Sequence, residues 1–191
     1  MTDKIDMSNT KKRILETADR LFYRQGYINT GINQLIDEAE VAKASFYSNF
    51  SSKKKLLTSY LEQRHIDWFE NLHQVIDKYD HPKEKIFALF EYLEVWIKVT
   101  NYRGCAFINI NTEFPDDTDE ISVIVQEHKQ KLRSLIRNLT LSLDKKNRSE
   151  EEQLLLSDTI YLIFEGTIVE CQNYRDLWPV ERSLKAIKKI L

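Results

Sequence analysis

Four Gly and three Pro are the only residues among 191 of the kinds that end or kink helices. With breakers so scarce, apolar stretches of helical period run on uninterrupted, and the expected fold is all-α. Ile14, Leu15, Ala18, Leu21 and Phe22 form one apolar stripe after Thr10, a candidate cap for a helix from Lys11. The stripe stops before Gly26, where a left-handed C-cap is expected. Thr30 is the expected N-cap of a short second helix with Ile32, Leu35, Ile36 and Ala39 facing inward. Glu40-Val41 makes a turn. A third helix covers about Ala42 to Tyr47, over Phe46 and Phe50. Ser51 or Ser52 caps a fourth, which carries apolar positions from Leu56 to about Tyr79 and spans roughly 40 Å at 1.5 Å per residue.

Pro82 suits the first turn of a fifth helix reaching about Thr100. Between Cys105 and Thr112, Ile108 and Ile110 alternate with Asn, so periodicity does not decide the element. A break follows at Phe114 to Asp117, then a helix from Asp119 to Leu143. Ser149 and Glu152 have capping-box spacing and open a helix to about Asn173; Trp178-Pro179 begins the last. This makes about nine helices. Residues 1–52 read as a three-helix head, with 1–9 an arm without structure. Residues 53–191 read as a larger helical domain.

The stretch from Ile32 to Lys53 has the outline of a helix-turn-helix, whose second helix enters the DNA major groove. Charge agrees: residues 1–60 hold ten Lys or Arg against seven Asp or Glu, the rest eighteen against twenty-three. Lys43, early on the recognition helix, is a candidate for a base edge or a phosphate. Ser45 and Ser48 are small donors on the same element. Tyr47 is large and polar-tipped where Phe46 and Phe50 already supply the core.

The order and spacing of Ile14-Leu15, Ala18, Leu21-Phe22, Gly26-Tyr27, Thr30, Ile36, Ala39, Val41, Lys43, Phe46-Tyr47, Phe50, Lys53 and Leu56-Leu57 resemble the TetR family of bacterial transcription repressors across residues 11–57. The resemblance implies a homodimer on a palindromic operator, released when a small ligand enters the C-terminal domain. It also implies phosphate contacts from Thr30, Asn49 and Lys53, and a Tyr47 that packs over a phosphate or a thymine methyl. Three positions depart from the pattern. Ala42 stands where a capping Ser or Thr is usual, Ala44 where Gly is usual, and Gly31 where a second hydroxyl is common. Each removes a phosphate contact or adds a methyl at the interface.

Aromatic residues concentrate in the second domain. Most build a core, and the resemblance implies a cavity lined by some of them. Trp68, Phe69, Phe90, Trp96 and Tyr161 are candidate walls, with His65, Asn109 and Glu165 as polar anchors for an apolar or aromatic effector. Cys105 follows Arg103-Gly104 at an expected helix N-terminus, where a cation and a helix dipole favour thiolate. The segment from Arg103 to Asn109 is similar to one in a TetR subgroup, some of whose members sense quinones, electrophiles or oxidants. The alternative is an inert buried thiol. Two alternative functions follow: a thiol-based repressor acting through Cys105, and a helical enzyme or scaffold that retains the head.

His65, His73 and His81 are eight apart, about 12 Å along a helix, so they cannot share a metal. No catalytic constellation and no cofactor motif is visible. Two cysteines form no disulfide framework, the N-terminus has no signal-peptide core and no apolar run spans a bilayer, so a cytoplasmic location is expected. The helix over 150–173 is apolar on more than one face. With the helix over 179–191 it is the expected dimer surface, two copies making a four-helix bundle.

Overall fold

A computed structural model describes residues 9–114, 119–143 and 148–191. The described residues form nine helices: α1 (Asn9–Gln25), α2 (Ile32–Glu38), α3 (Lys43–Asn49), α4 (Lys53–Ile76), α5 (Pro82–Val99), α6 (Ala106–Asn111), α7 (Glu120–Leu141), α8 (Glu150–Tyr174) and α9 (Trp178–Ile190). The all-α expectation holds. Of the expected arm over 1–9, residues 1–8 lie outside the described residues, and α1 already includes Asn9 and Thr10, so Thr10 is not its cap; of the expected break at Phe114 to Asp117, only Phe114 is described. Two compact units emerge, and they do not follow chain order. Unit 1 takes Met1–His65 and Asn109–Ile124; unit 2 takes Ile66–Ile108 and Val125–Leu191.

In unit 1, the α1 stripe is buried as its spacing demands: Ile14, Leu15, Ala18, Leu21 and Phe22 are at most 8% exposed. Phe22 meets Tyr60 of α4 edge-on at 5.6 Å. Gly26 closes α1 with φ at 89° and donates its N–H to the Phe22 carbonyl at 3.1 Å. Leu35, Ile36 and Ala39 bury one side of α2, and Phe46 with Phe50 buries one side of α3.

Two details correct the sequence reading. The N-cap of α2 is Gly31, without a side-chain hydrogen bond, and not Thr30. Thr30 lies one residue earlier, wholly buried, and donates its hydroxyl to the Gly26 carbonyl at 2.7 Å. That carbonyl lost its helical partner when Gly26 turned left-handed, and the hydroxyl satisfies it. Helix α4 ends at Ile76 rather than Tyr79, about 36 Å from its start. The turn before Pro82 uses its last residues, with Tyr79 N–H reaching the Ile76 carbonyl at 3.3 Å.

In unit 2, Ile86, Leu89, Phe90, Leu93 and Ile97 make α5 a core helix. The segment that periodicity left undecided is helical. Phe107 and Ile110, one turn apart, are 2% and 1% exposed. Trp68, Phe69 and Phe107 surround His128, a buried α7 residue that sequence reasoning passed over. Its ring stacks on Phe107 at 3.6 Å and 7°. The Ser149 and Glu152 capping box forms in both directions. Helix α8 buries Ile160, Phe164, Ile168 and Cys171 but leaves Leu155, Leu162 and Val169 exposed at 68%, 66% and 38%. The same buried side meets α9, where the Thr167 and Ser183 hydroxyls bond at 2.6 Å. No helix is long and apolar enough to cross a membrane among the described residues.

Candidate nucleic-acid interface

Helix α3 is a two-sided element because Phe46 and Phe50 anchor it and everything between points away. Lys43, Ala44, Tyr47 and Ser48 are exposed, while Ser45 and Asn49 are half-buried. Tyr47 is 42% exposed with its ring edge against Phe46 at 5.4 Å, so the hydroxyl end is outward. Ser48 and Asn49 both donate to the Ser45 carbonyl, at 2.9 and 2.8 Å. These bonds tie off the last turn of a seven-residue helix that has no N-cap side chain at Ala42. The face offers one cation, one phenol, hydroxyls and an amide, the donor types that contact base edges and phosphates.

The other two candidates sit differently. Thr30 has no exposed surface to give to a duplex. The Lys53 ammonium donates to the carbonyls of Tyr27 and Thr30, both at 2.9 Å, and lies 4.0 Å over the Tyr27 ring. Burial pulls its pKa below the ordinary lysine value, against the opposing field of Glu113. Lys53 is therefore a brace for the turn between α1 and α2. Its neighbours are also engaged: Lys54 meets Asp119 at 2.6 Å and Lys55 meets Glu120 at 3.0 Å.

Sequence reasoning missed Glu113 entirely. Its carboxylate accepts from the Tyr27 N–H at 3.0 Å and the Ile28 N–H at 2.6 Å. The next residue, Phe114, places its ring 5.3 Å from that of Tyr27. No local pattern signals a contact 86 residues long.

The effector candidates divide. Trp68, Phe69 and Phe90 belong to unit 2 and share ring contacts with His128 and Phe164. Trp96 is half-buried near the end of α5, its carbonyl taking the Thr100 hydroxyl at 2.8 Å. His65 and Asn109, both half-buried, belong to unit 1.

Cys105 is 6% exposed, and the cation that reaches its sulfur is Lys129 of α7, at 3.5 Å. Lys129 also donates to Glu165 Oε2 at 2.5 Å, while Glu165 Oε1 is buried without a hydrogen-bond partner. Burial lowers the Lys129 pKa, but Cys105 and Glu165 outweigh it and hold the value above that of ordinary lysine. Burial, helped by Glu165, raises that of Tyr161. Lys129 and Tyr161 also line an open groove of about 910 Å³ with Arg133, Asp158 and Leu162.

Residues 14–60 match the family model described as bacterial regulatory proteins, tetR family. The HTH-type transcriptional repressor NemR of Escherichia coli K12 is 22% identical over 190 residues, covering 96% of this chain and 94% of that protein. The crystal structure of reduced E. coli NemR superposes with a TM-score of 0.80 at 19% identity, covering 95% of this chain and 96% of that one. A TetR-family transcriptional regulator from Streptomyces coelicolor reaches 0.81 at 24% identity, covering 94% and 90%. These structures share the fold over 94–95% of this chain, and the family model matches the stretch that holds the exposed α3 face. The head of the chain is similar to that of the tetR family of bacterial regulatory proteins, and the fold is the one seen in TetR-family structures.

Proposed function

We propose that this chain is a DNA-binding transcriptional repressor that works as a homodimer and releases its operator when a small apolar or aromatic molecule binds within the 53–191 region. The observation that carries the reading is the outward face of α3, with Lys43, Tyr47 and Ser48 exposed on a helix pinned from behind by Phe46 and Phe50. Lys43 addresses base edges, and Tyr47 and Asn49 hold the backbone beside them. The relatives support this: NemR is named a transcriptional repressor, as is DhaR of a Mycobacterium, 20% identical over 186 residues.

Homodimerisation through α8 and α9 is supported by Leu155, Leu162 and Val169, seven residues apart and exposed along one stripe of α8. A seven-residue apolar repeat suits packing against a second helix, here one from another copy of the chain. The aromatic set around Trp68 and His128 is the proposed effector neighbourhood, with Tyr161 and Glu165 as its polar side. Helix α4 is one continuous helix that supplies residues to both units, which gives effector binding a covalent route to the head.

One contact favours a second reading, in which Cys105 itself responds to electrophiles or oxidants: the Lys129 ammonium 3.5 Å from its sulfur. Binding of the purified chain to duplexes enriched from a random pool tests the main reading. Selective, salt-sensitive binding supports it, and indifference to all duplexes at low salt overturns it. A Cys105→Ser variant that ignores an electrophile while the wild type lets go would favour the second.

A further inference from the structure

We infer that Glu113 is a positioning residue for operator reading, fixing the angle at which the second and third helices leave α1. This rests on the DNA-binding reading above. Neither helix of the reading motif carries a side-chain N-cap: Gly31 precedes α2 and Ala42 precedes α3. The turn over residues 26–31 leads directly into α2, so what holds that turn sets how α2 leaves α1, and α3 follows α2 across the short turn at Ala39 to Ala42 while Phe46 and Phe50 pack it from behind.

That turn is held from outside by two opposite charges. The Lys53 ammonium takes two of its carbonyls, those of Tyr27 and Thr30, each at 2.9 Å. The Glu113 carboxylate takes two of its amides, Tyr27 at 3.0 Å and Ile28 at 2.6 Å. Both are charge-assisted bonds to a rigid peptide, about twice as strong as neutral ones. Both Glu113 oxygens are used, one per amide, so the carboxylate fixes a direction as well as a distance.

Gly26 makes the approach possible. A Cβ there would meet Glu113 Oε1 at 2.9 Å, closer than real side chains come. The absence of that atom admits the carboxylate beside the peptide. The Phe114 ring against Tyr27 closes the other side of the grip. The carboxylate lies within the field of the Lys53 ammonium that grips the same turn. Its near neighbours Asp119 and Glu120 pair with Lys54 and Lys55, whereas Glu113 is spent on backbone.

The role has a signature that charge alone cannot imitate. Removing a carboxylate from a DNA-binding head strengthens binding to every duplex by reducing repulsion. Removing a positioning group weakens binding to the correct sequence only. The test compares wild type, Glu113→Ala and Glu113→Gln by fluorescence anisotropy. The probes are a duplex enriched by the wild type from a random pool and a scrambled duplex of equal length. The melting temperature is measured alongside.

Glu113→Ala is expected to lose roughly tenfold or more on the enriched duplex, about 1.4 kcal/mol, with unchanged or tighter binding to the scrambled one. Glu113→Gln keeps one acceptor and is expected to recover part of the loss. Equal affinity of wild type and Glu113→Ala for the enriched duplex overturns the inference. So does a parallel loss on both duplexes with a large fall in melting temperature, which marks a purely structural role. A wild type that enriches no duplex sinks the DNA-binding reading first, and this inference with it.

Discussion

Glu113 and Tyr27 are 86 residues apart, yet a carboxylate oxygen of the first accepts the backbone N–H of the second at 3.0 Å. A head of tetR type is thus completed by a residue that lies beyond the 14–60 stretch matched by the family model. Several consequences are open to measurement.

Gly26 serves two needs at once. Its φ of 89° is unfavourable for any L side chain, and its missing Cβ makes room for Glu113. Gly26→Ala is expected to destabilise the fold by about 1–2 kcal/mol from backbone strain alone, with the clash added. Urea denaturation of Gly26→Ala in the wild-type and Glu113→Ala backgrounds separates the two. The cost should be smaller in the second background, and equal costs would show that the carboxylate simply swings aside.

Lys43→Ala and Tyr47→Ala remove exposed groups, so the melting temperature should hold within a degree or two. Operator binding should not hold. A base-edge contact from Lys43 is worth about 1–3 kcal/mol and its loss should relax sequence preference. Tyr47→Ala should weaken binding with preference retained. Gel-shift titration of both variants against selected and scrambled duplexes reads the difference.

Leu155 and Leu162 stand exposed on the α8 stripe. Replacing Leu162 with Glu puts a charge into the proposed interface while leaving the buried side of α8 untouched. Light scattering after size exclusion is expected to show a dimer for the wild type and a monomer for Leu162→Glu. A variant that remains dimeric moves the interface elsewhere.

The Lys129 and Glu165 pair is mostly buried, with side chains 16% and 15% exposed. Removing the cation by Lys129→Met leaves a carboxylate without its partner and should cost about 3–5 kcal/mol. The pKa of Lys129 is raised on folding, so its contribution is complete below the ordinary lysine value of 10.5 and fades as pH climbs through the higher folded value. Stability in urea measured from pH 8 to 11.5 should fall at the alkaline end for the wild type. Lys129→Met should lack that component of the fall.

Cys171 is fully buried, and burial pushes its pKa up to about 11. At pH 7 its thiolate fraction is on the order of one in ten thousand. A thiol reagent on the native chain should leave it unmodified, and mass spectrometry after digestion checks the site. Rapid native labelling of Cys171 would show that α8 and α9 part readily.

What the sequence disclosed was whatever acts within a turn or two of helix. The α1 stripe, the Gly26 stop, Pro82 at the head of α5 and the Ser149 box follow from contacts three or four residues long, and they were legible. Thr30 shows the limit of local reading. Its hydroxyl suits a cap, but the unsatisfied Gly26 carbonyl claims it. Lys53 shows the same limit for charge, since nothing local tells that its ammonium takes two backbone carbonyls 23 and 26 residues away. His128 was invisible because one histidine among polar α7 neighbours gives no sign of the three aromatic rings that receive it.

Lys54 and Lys55, in the first turn of α4, are paired with Asp119 and Glu120. A polyanion approaching from a distance therefore feels less of these two lysines, and the long-range pull of the head falls to its other cations, exposed Lys43 among them.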